Sequence, residues 1–135
     1  MRITVLVAFA VLALLAPGTA SAKVWFDDLQ GREFEPWELV ATTMAGCEDT
    51  GRAVCIPEIA GMPVYAVPFN GQWRTWRCKS AARQHRAGRI TARGQLRFRT
   101  PERPGRYQLV LVAESDRPCW AASVSAGWRV VPEQR

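Results

Sequence analysis

The 135-residue sequence holds a single histidine, His85, and neither a C-x-x-C pair nor a cysteine–histidine array. With one imidazole, any Ser–His–acid or Cys–His pairing has only His85 to use, and no nucleophile-elbow motif accompanies it. The cysteine spacing argues against zinc and against thioredoxin-type redox chemistry. Acidic clusters occur at Asp27-Asp28 and at Glu33-x-Glu35-x-x-Glu38, but no EF-hand loop is among them. Adjacent Asp27 and Asp28 on a strand would point to opposite faces, so they read as edge charges and not as an acid/base pair. No internal repeat, low-complexity tract or linker divides the chain. These absences lead us to expect no catalytic residue, no metal and no cofactor, with a hydrolase the most distant alternative.

Long apolar runs are also missing, apart from one. Met1-Arg2 precedes ITVLVAFAVLALLA (residues 3–16), Pro17-Gly18 breaks that run, and Ala20-Ser21-Ala22 forms an A-x-A cleavage site. Fourteen residues are too few for a spanning helix, which needs about 20. We expect residues 1–22 to be a Sec-type signal peptide cleaved after Ala22. No lipoprotein cysteine follows it. The expected mature chain, residues 23–135, is one periplasmic or secreted domain without a membrane span.

Four cysteines then remain, Cys47, Cys55, Cys78 and Cys119. In an oxidising compartment they read as two disulfides. Of three possible connectivities the favoured one is Cys47–Cys55 with Cys78–Cys119, because the first pair brackets a short turn-like loop, EDTGRAV.

Charge is unevenly placed. Lys23 to Ala60 carries eight acids and three bases, whereas Arg74 to Arg106 carries eleven bases and one acid, Glu102. Sixteen of the eighteen basic residues are arginine, the side chain suited to bidentate recognition of carboxylate, sulfate or phosphate. The candidate binding residues are Trp73, Arg74, Arg77, Arg83, Arg86, Arg89, Arg93, Arg97 and Arg99, with Lys79 beside them. An exposed tryptophan among arginines can stack on a sugar ring or hold a guanidinium by cation–π contact. The competing explanation is that arginine-lined faces keep edge strands soluble.

Short apolar or alternating runs separated by Gly, Pro, Asn and Asp predict an all-β domain. The expected strands are 24–29, 37–44, 54–56, 64–69, 73–78, 89–92, 95–100, 106–114 and 128–131. Asn70-Gly71 is a preferred two-residue hairpin turn, which would set Trp76 opposite Tyr65 on an inner face and leave Trp73 outside. Ser80 and Gly88 read as the caps of a short helix over 81–87, with His85 near its C-terminal end. Trp25, Trp37 and Trp128 are assigned to the core, and Trp120 to a position over a disulfide.

Near the C-terminus, PGRYQLVLVAE resembles strand F of bacterial immunoglobulin-like sandwiches, in which a tyrosine after a Pro/Gly turn closes a corner through its hydroxyl. Tyr107 would be that tyrosine. Leu109 stands two positions on, where antibody domains have cysteine. The resemblance covers the last third of the chain and implies an immunoglobulin-like antiparallel β-sandwich with no particular function. The expectation is an exported, non-catalytic binding module for an anionic partner, such as an acidic glycan, an envelope polymer or an acidic protein surface. Nucleic acid is a poor match for an exported chain. The alternative is a small secreted protein that docks on or inhibits a protein partner, using its acidic half as well.

Overall fold

The computed structural model describes residues 24–47, 52–71, 76–113 and 119–133. The expected signal peptide, the tip of the EDTGRAV loop, Trp73 and Arg74 lie outside them. Among the described residues ten strands and two short helices follow one another: β1 (Val24–Trp25), β2 (Glu33–Phe34), β3 (Leu39–Thr43), β4 (Gly46–Cys47), α1 (Arg52–Ile59), β5 (Pro63–Pro68), α2 (Cys78–Ala82), β6 (His85–Arg89), β7 (Gln95–Arg99), β8 (Gly105–Ala113), β9 (Trp120–Ser123) and β10 (Trp128–Val130). The fold is mostly β, with mixed, curled sheets.

The large sheet runs β2-β10-β8-β5-β6, and β9 joins β8 on the same edge as β10. All its pairings are antiparallel except β2 with β10, which is parallel. β3 and β7 form a separate antiparallel ribbon, as do β1 and β4. Residues of β5 from Pro63 to Val67, and of β8 from Gln108 to Ala113, are buried on both faces, which is why these segments read as near-continuous apolar runs. One face of the large sheet meets the β3–β7 ribbon around Phe34, Val64, Leu96, Phe98, Leu109 and Trp128. The other face packs Tyr65, Val67, Val110 and Val112 against Ala81 of α2, with Trp76 and Cys78 at its margin.

Both disulfides form with the favoured connectivity, Cys47–Cys55 and Cys78–Cys119. Such bonds belong to an oxidising compartment. Among the described residues no helix is long and apolar enough to cross a membrane.

Several local expectations are corrected. Residues 54–56 belong to α1 and not to a strand. Cys55 and Ile59, one helical turn apart, both face the core there. The Asn70-Gly71 hairpin does not set Tyr65 against Trp76, because Tyr65 pairs with Arg86 on one side and Val110 on the other. Both edges of β5 are occupied at Tyr65, and Trp76 packs at the margin of the cluster that holds it. The helix expected over 81–87 lies earlier, at 78–82, anchored by fully buried Ala81 and the Cys78–Cys119 bond. His85 to Arg89 is strand because the open edge of β5 needs a ladder partner, which overrides helix propensity. Gly88 is therefore no helix cap. A Cβ there would sit 3.3 Å from the Arg97 carbonyl oxygen, so its bareness lets β6 abut β7 and the sheet curl.

Asp28 leaves the expected strand as well, since β1 ends at Trp25 and the Asp28 carboxylate accepts a hydrogen bond from the buried Thr42 hydroxyl. Arg93-Gly94 lies in a turn between β6 and β7, where Gly94 has φ +73° and the Thr91 hydroxyl accepts from the Arg93 and Gln95 amides. Tyr107, the third residue of β8, donates its hydroxyl to the Arg103 carbonyl at 2.6 Å. Burial pushes its phenol pKa up, with the nearby Arg103 guanidinium acting in the opposite sense.

Candidate functional site

The expected core residue Trp37 is at the surface, 52% exposed, and its backbone is unusual. Glu35-Pro36-Trp37-Glu38 closes a turn in which the Glu38 amide donates to the Glu35 carbonyl at 3.3 Å, and Trp37 has φ +61°. Proline second and a positive φ third are the features of a type II turn, where the third place normally goes to glycine. A bulky residue held in the left-handed region costs about 1–2 kcal/mol.

Buried Thr100 holds the turn in place. Its hydroxyl donates to the Glu35 carbonyl at 2.6 Å and accepts from the Glu38 amide at 2.9 Å, while its own amide donates to the Glu38 carbonyl at 2.9 Å. The Glu38 carboxylate accepts from the Glu35 amide at 2.9 Å, and Arg99 Nη1 donates to the Trp37 carbonyl at 3.0 Å. The Glu35 backbone and the Glu38 carboxylate are therefore parts of the turn. Strain of this kind persists only where surrounding bonds over-determine it, and it collects at functional sites. Here its effect is to present an indole to solvent.

A comparison of two variants isolates that strain. Trp37→Gly and Trp37→Ala remove the indole equally, but only glycine tolerates the turn. We expect the glycine variant to be the more stable by about 1 kcal/mol in urea denaturation, the reverse of the usual order of the two residues. Equal stabilities would mean that residue 37 is not left-handed in solution.

The surroundings of Trp37 come from β6 and β7. The His85 ring meets the indole edge-on, with centroids 5.9 Å apart, and its Nε2–H donates to the Arg99 carbonyl at 2.7 Å. On the ribbon, β3 and β7 both alternate exposed and buried residues. Register sets exposed Leu39 opposite Arg99 and Ala41 opposite Arg97. Trp37, Leu39, Arg97 and Arg99 thus share one outward surface, edged by His85.

Of the nine residues expected to form one face, Trp73 and Arg74 lie outside the described residues, and the fold divides the other seven. Arg97 and Arg99 join Trp37. Arg86, opposite buried Tyr65, lies on the reverse face of the large sheet, where Arg77 and Arg83 flank the two ends of α2. Arg89 donates to the Gly61 carbonyl at 2.6 Å and Arg93 sits in the β6–β7 turn. Other arginines cover aromatic rings, Arg32 over Phe34 at 4.9 Å and Arg106 over Phe69 at 4.6 Å. The split arises because neighbouring residues on β6 point to opposite faces, so Arg86 departs from His85. Among the described residues no group of three metal-ligating side chains comes together.

Trp37 was legible in part. Val40, Thr42 and Met44 are the inward parity of β3, so Leu39 and, beyond it, Trp37 belong to the outward one. E-P-W-E, a proline dipeptide between acids, is also poor core sequence and good turn sequence. No family model matches the chain, and no curated protein or solved structure matches it.

Proposed function

We propose that this protein is an exported, non-catalytic binding module that recognises an anionic partner through the Trp37–Arg97–Arg99 surface. The observation that carries the reading is Trp37, a large apolar side chain kept in solvent by a strained turn, with two arginines on the adjoining strand. Strain and exposure both lower stability, and binding is the return for which such an arrangement is kept. Tryptophan and arginine are also the side chains that contribute most at binding surfaces. The immunoglobulin-like reading of the fold belongs to the same proposal. It is supported by the Tyr107 hydroxyl, which closes onto the backbone four residues upstream at the start of β8.

Retention on a polygalacturonate column tests the site. Wild-type protein should bind at low salt and elute by about 0.5 M salt, where screening reaches only a few ångströms. Trp37→Ala and Arg97→Glu should each elute at markedly lower salt, while an Arg77→Ala/Arg83→Ala/Arg86→Ala control on the reverse face should elute like wild type. Loss of retention in that control alone would move the site to the α2 face. Leu39, 47% exposed beside Trp37, favours a second reading in which the partner is an acidic protein surface. That reading requires Leu39→Ser to weaken binding, whereas a glycan partner leaves it unchanged.

A further inference from the structure

His85 belongs to two neighbourhoods. Its ring edges Trp37, and it also borders an open cleft of about 320 Å³ between the ends of β5, β6 and β8. Pro68, Pro101 and Tyr107 line this cleft together with Gln84, Glu102 and Arg103. Resting on the anionic-partner reading above, we infer that the cleft is a second subsite for an acidic polysaccharide, holding the sugar residue next to the one stacked on Trp37.

The lining decides the ligand class. A sugar ring presents apolar C–H faces and an edge of hydroxyls that both donate and accept. Such a ring needs flat apolar walls together with donors and acceptors. Proline and tyrosine supply the walls, Arg103 and Gln84 supply donors, and Glu102 and the Gln84 carbonyl supply acceptors. A bare phosphate polymer would use only the donors. The size agrees, because ligand clefts begin at about 300 Å³, which admits a single hexose-sized ring and not a folded segment of protein. The acidic substituent is met by arginine at both subsites, Arg97 and Arg99 beside Trp37 and Arg103 in the cleft. Two subsites that adjoin at His85 give a chain an advantage over its monomer, since the second ring binds without a new loss of translational freedom.

Calorimetric titration of wild-type protein with galacturonic acid, tri-galacturonate and neutral maltotriose tests this, read beside the polygalacturonate column. We expect tri-galacturonate to bind at least tenfold more tightly than the monosaccharide, and maltotriose to bind more weakly than tri-galacturonate. A Gln84→Ala/Arg103→Ala variant should lose most of the trimer's advantage yet stay on the column, with a wild-type urea transition showing that it is folded. Equal affinity of wild type for monomer and trimer, or an undiminished trimer advantage in the variant, would overturn the cleft assignment while retention leaves the Trp37 surface standing. Retention on a polyphosphate matrix with no uronate binding would overturn the sugar class alone. Loss of all polyanion retention in wild type would instead reject the underlying reading.

Discussion

Trp128→Ala is expected to destabilise the domain by about 3–5 kcal/mol, the cost of truncating a fully buried large aromatic. The residue has no exposed surface, and three rings enclose it: Phe34 edge-on at 5.7 Å, Phe98 tilted at 5.7 Å and Tyr107 stacked at 5.5 Å. They come from β2, β7 and β8, so Trp128 on β10 joins the large sheet to the ribbon folded over it. Alanine would leave a cavity that strands tied by ladder bonds cannot collapse into. The indole also carries a liability, since its buried Nε1–H has no hydrogen-bond partner among the described residues. An unsatisfied buried donor costs about 1–3 kcal/mol. Trp128→Phe discards that donor along with part of the ring, so it should fall within about 1.5 kcal/mol of wild type. Urea denaturation of the two variants measures both effects, and a phenylalanine variant as unstable as the alanine one would mean that the indole N–H is well satisfied. Because Tyr107 stacks on Trp128 and also walls the cleft, the folded fraction of Trp128→Ala should lose part of its preference for tri-galacturonate.

The same packing explains which parts of the fold were legible. In β7, QLRFR alternates strictly, and its faces could be read directly because one side meets core and the other water. β5 and β8 were legible for the opposite reason: buried on both sides, they leave long apolar runs in the sequence. The cysteines were legible because loop length and compartment limited their pairing. β6 was not. HRAGR has no apolar periodicity, and it is strand only because β5 offers an edge. The pairing of Tyr65 with Arg86 and Val110 instead of with Trp76 was equally hidden, since an Asn-Gly turn speaks for a local partner.

The candidate site was legible in kind and not in place. A tryptophan and a row of arginines could be picked out, but strand parity sends Arg86 and Arg97 to different sides of the molecule. The decisive feature, φ +61° at Trp37, depends on Thr100, which lies 62 or more residues from its turn partners Glu35 and Glu38. No local window contains both. Site and stability are opposed at that turn, so stabilisation must be sought elsewhere in the chain.

The Cys78–Cys119 bond is where we expect the largest single contribution of that kind. It closes a loop with a sequence separation of 41, against 8 for Cys47–Cys55. On chain-entropy grounds the two are worth about 4 and about 2.6 kcal/mol respectively. The longer link also fixes the start of α2, whose Ala81 fills the reverse face of the large sheet. Cys78→Ala/Cys119→Ala should therefore lower the urea midpoint sharply, losing about 4 kcal/mol, and should raise the m-value because the unfolded chain is less compact. A loss below about 1 kcal/mol would show that packing of Ala81 and Trp76 against Tyr65 and Val110 holds α2 unaided. The Trp37 surface lies across the large sheet from α2. In osmolyte, which favours the compact state, the refolded variant should return to the polygalacturonate column with wild-type retention. If retention were lost while the protein remained folded, binding would depend on the α2 face, and Arg77, Arg83 and Arg86 would become the residues to pursue.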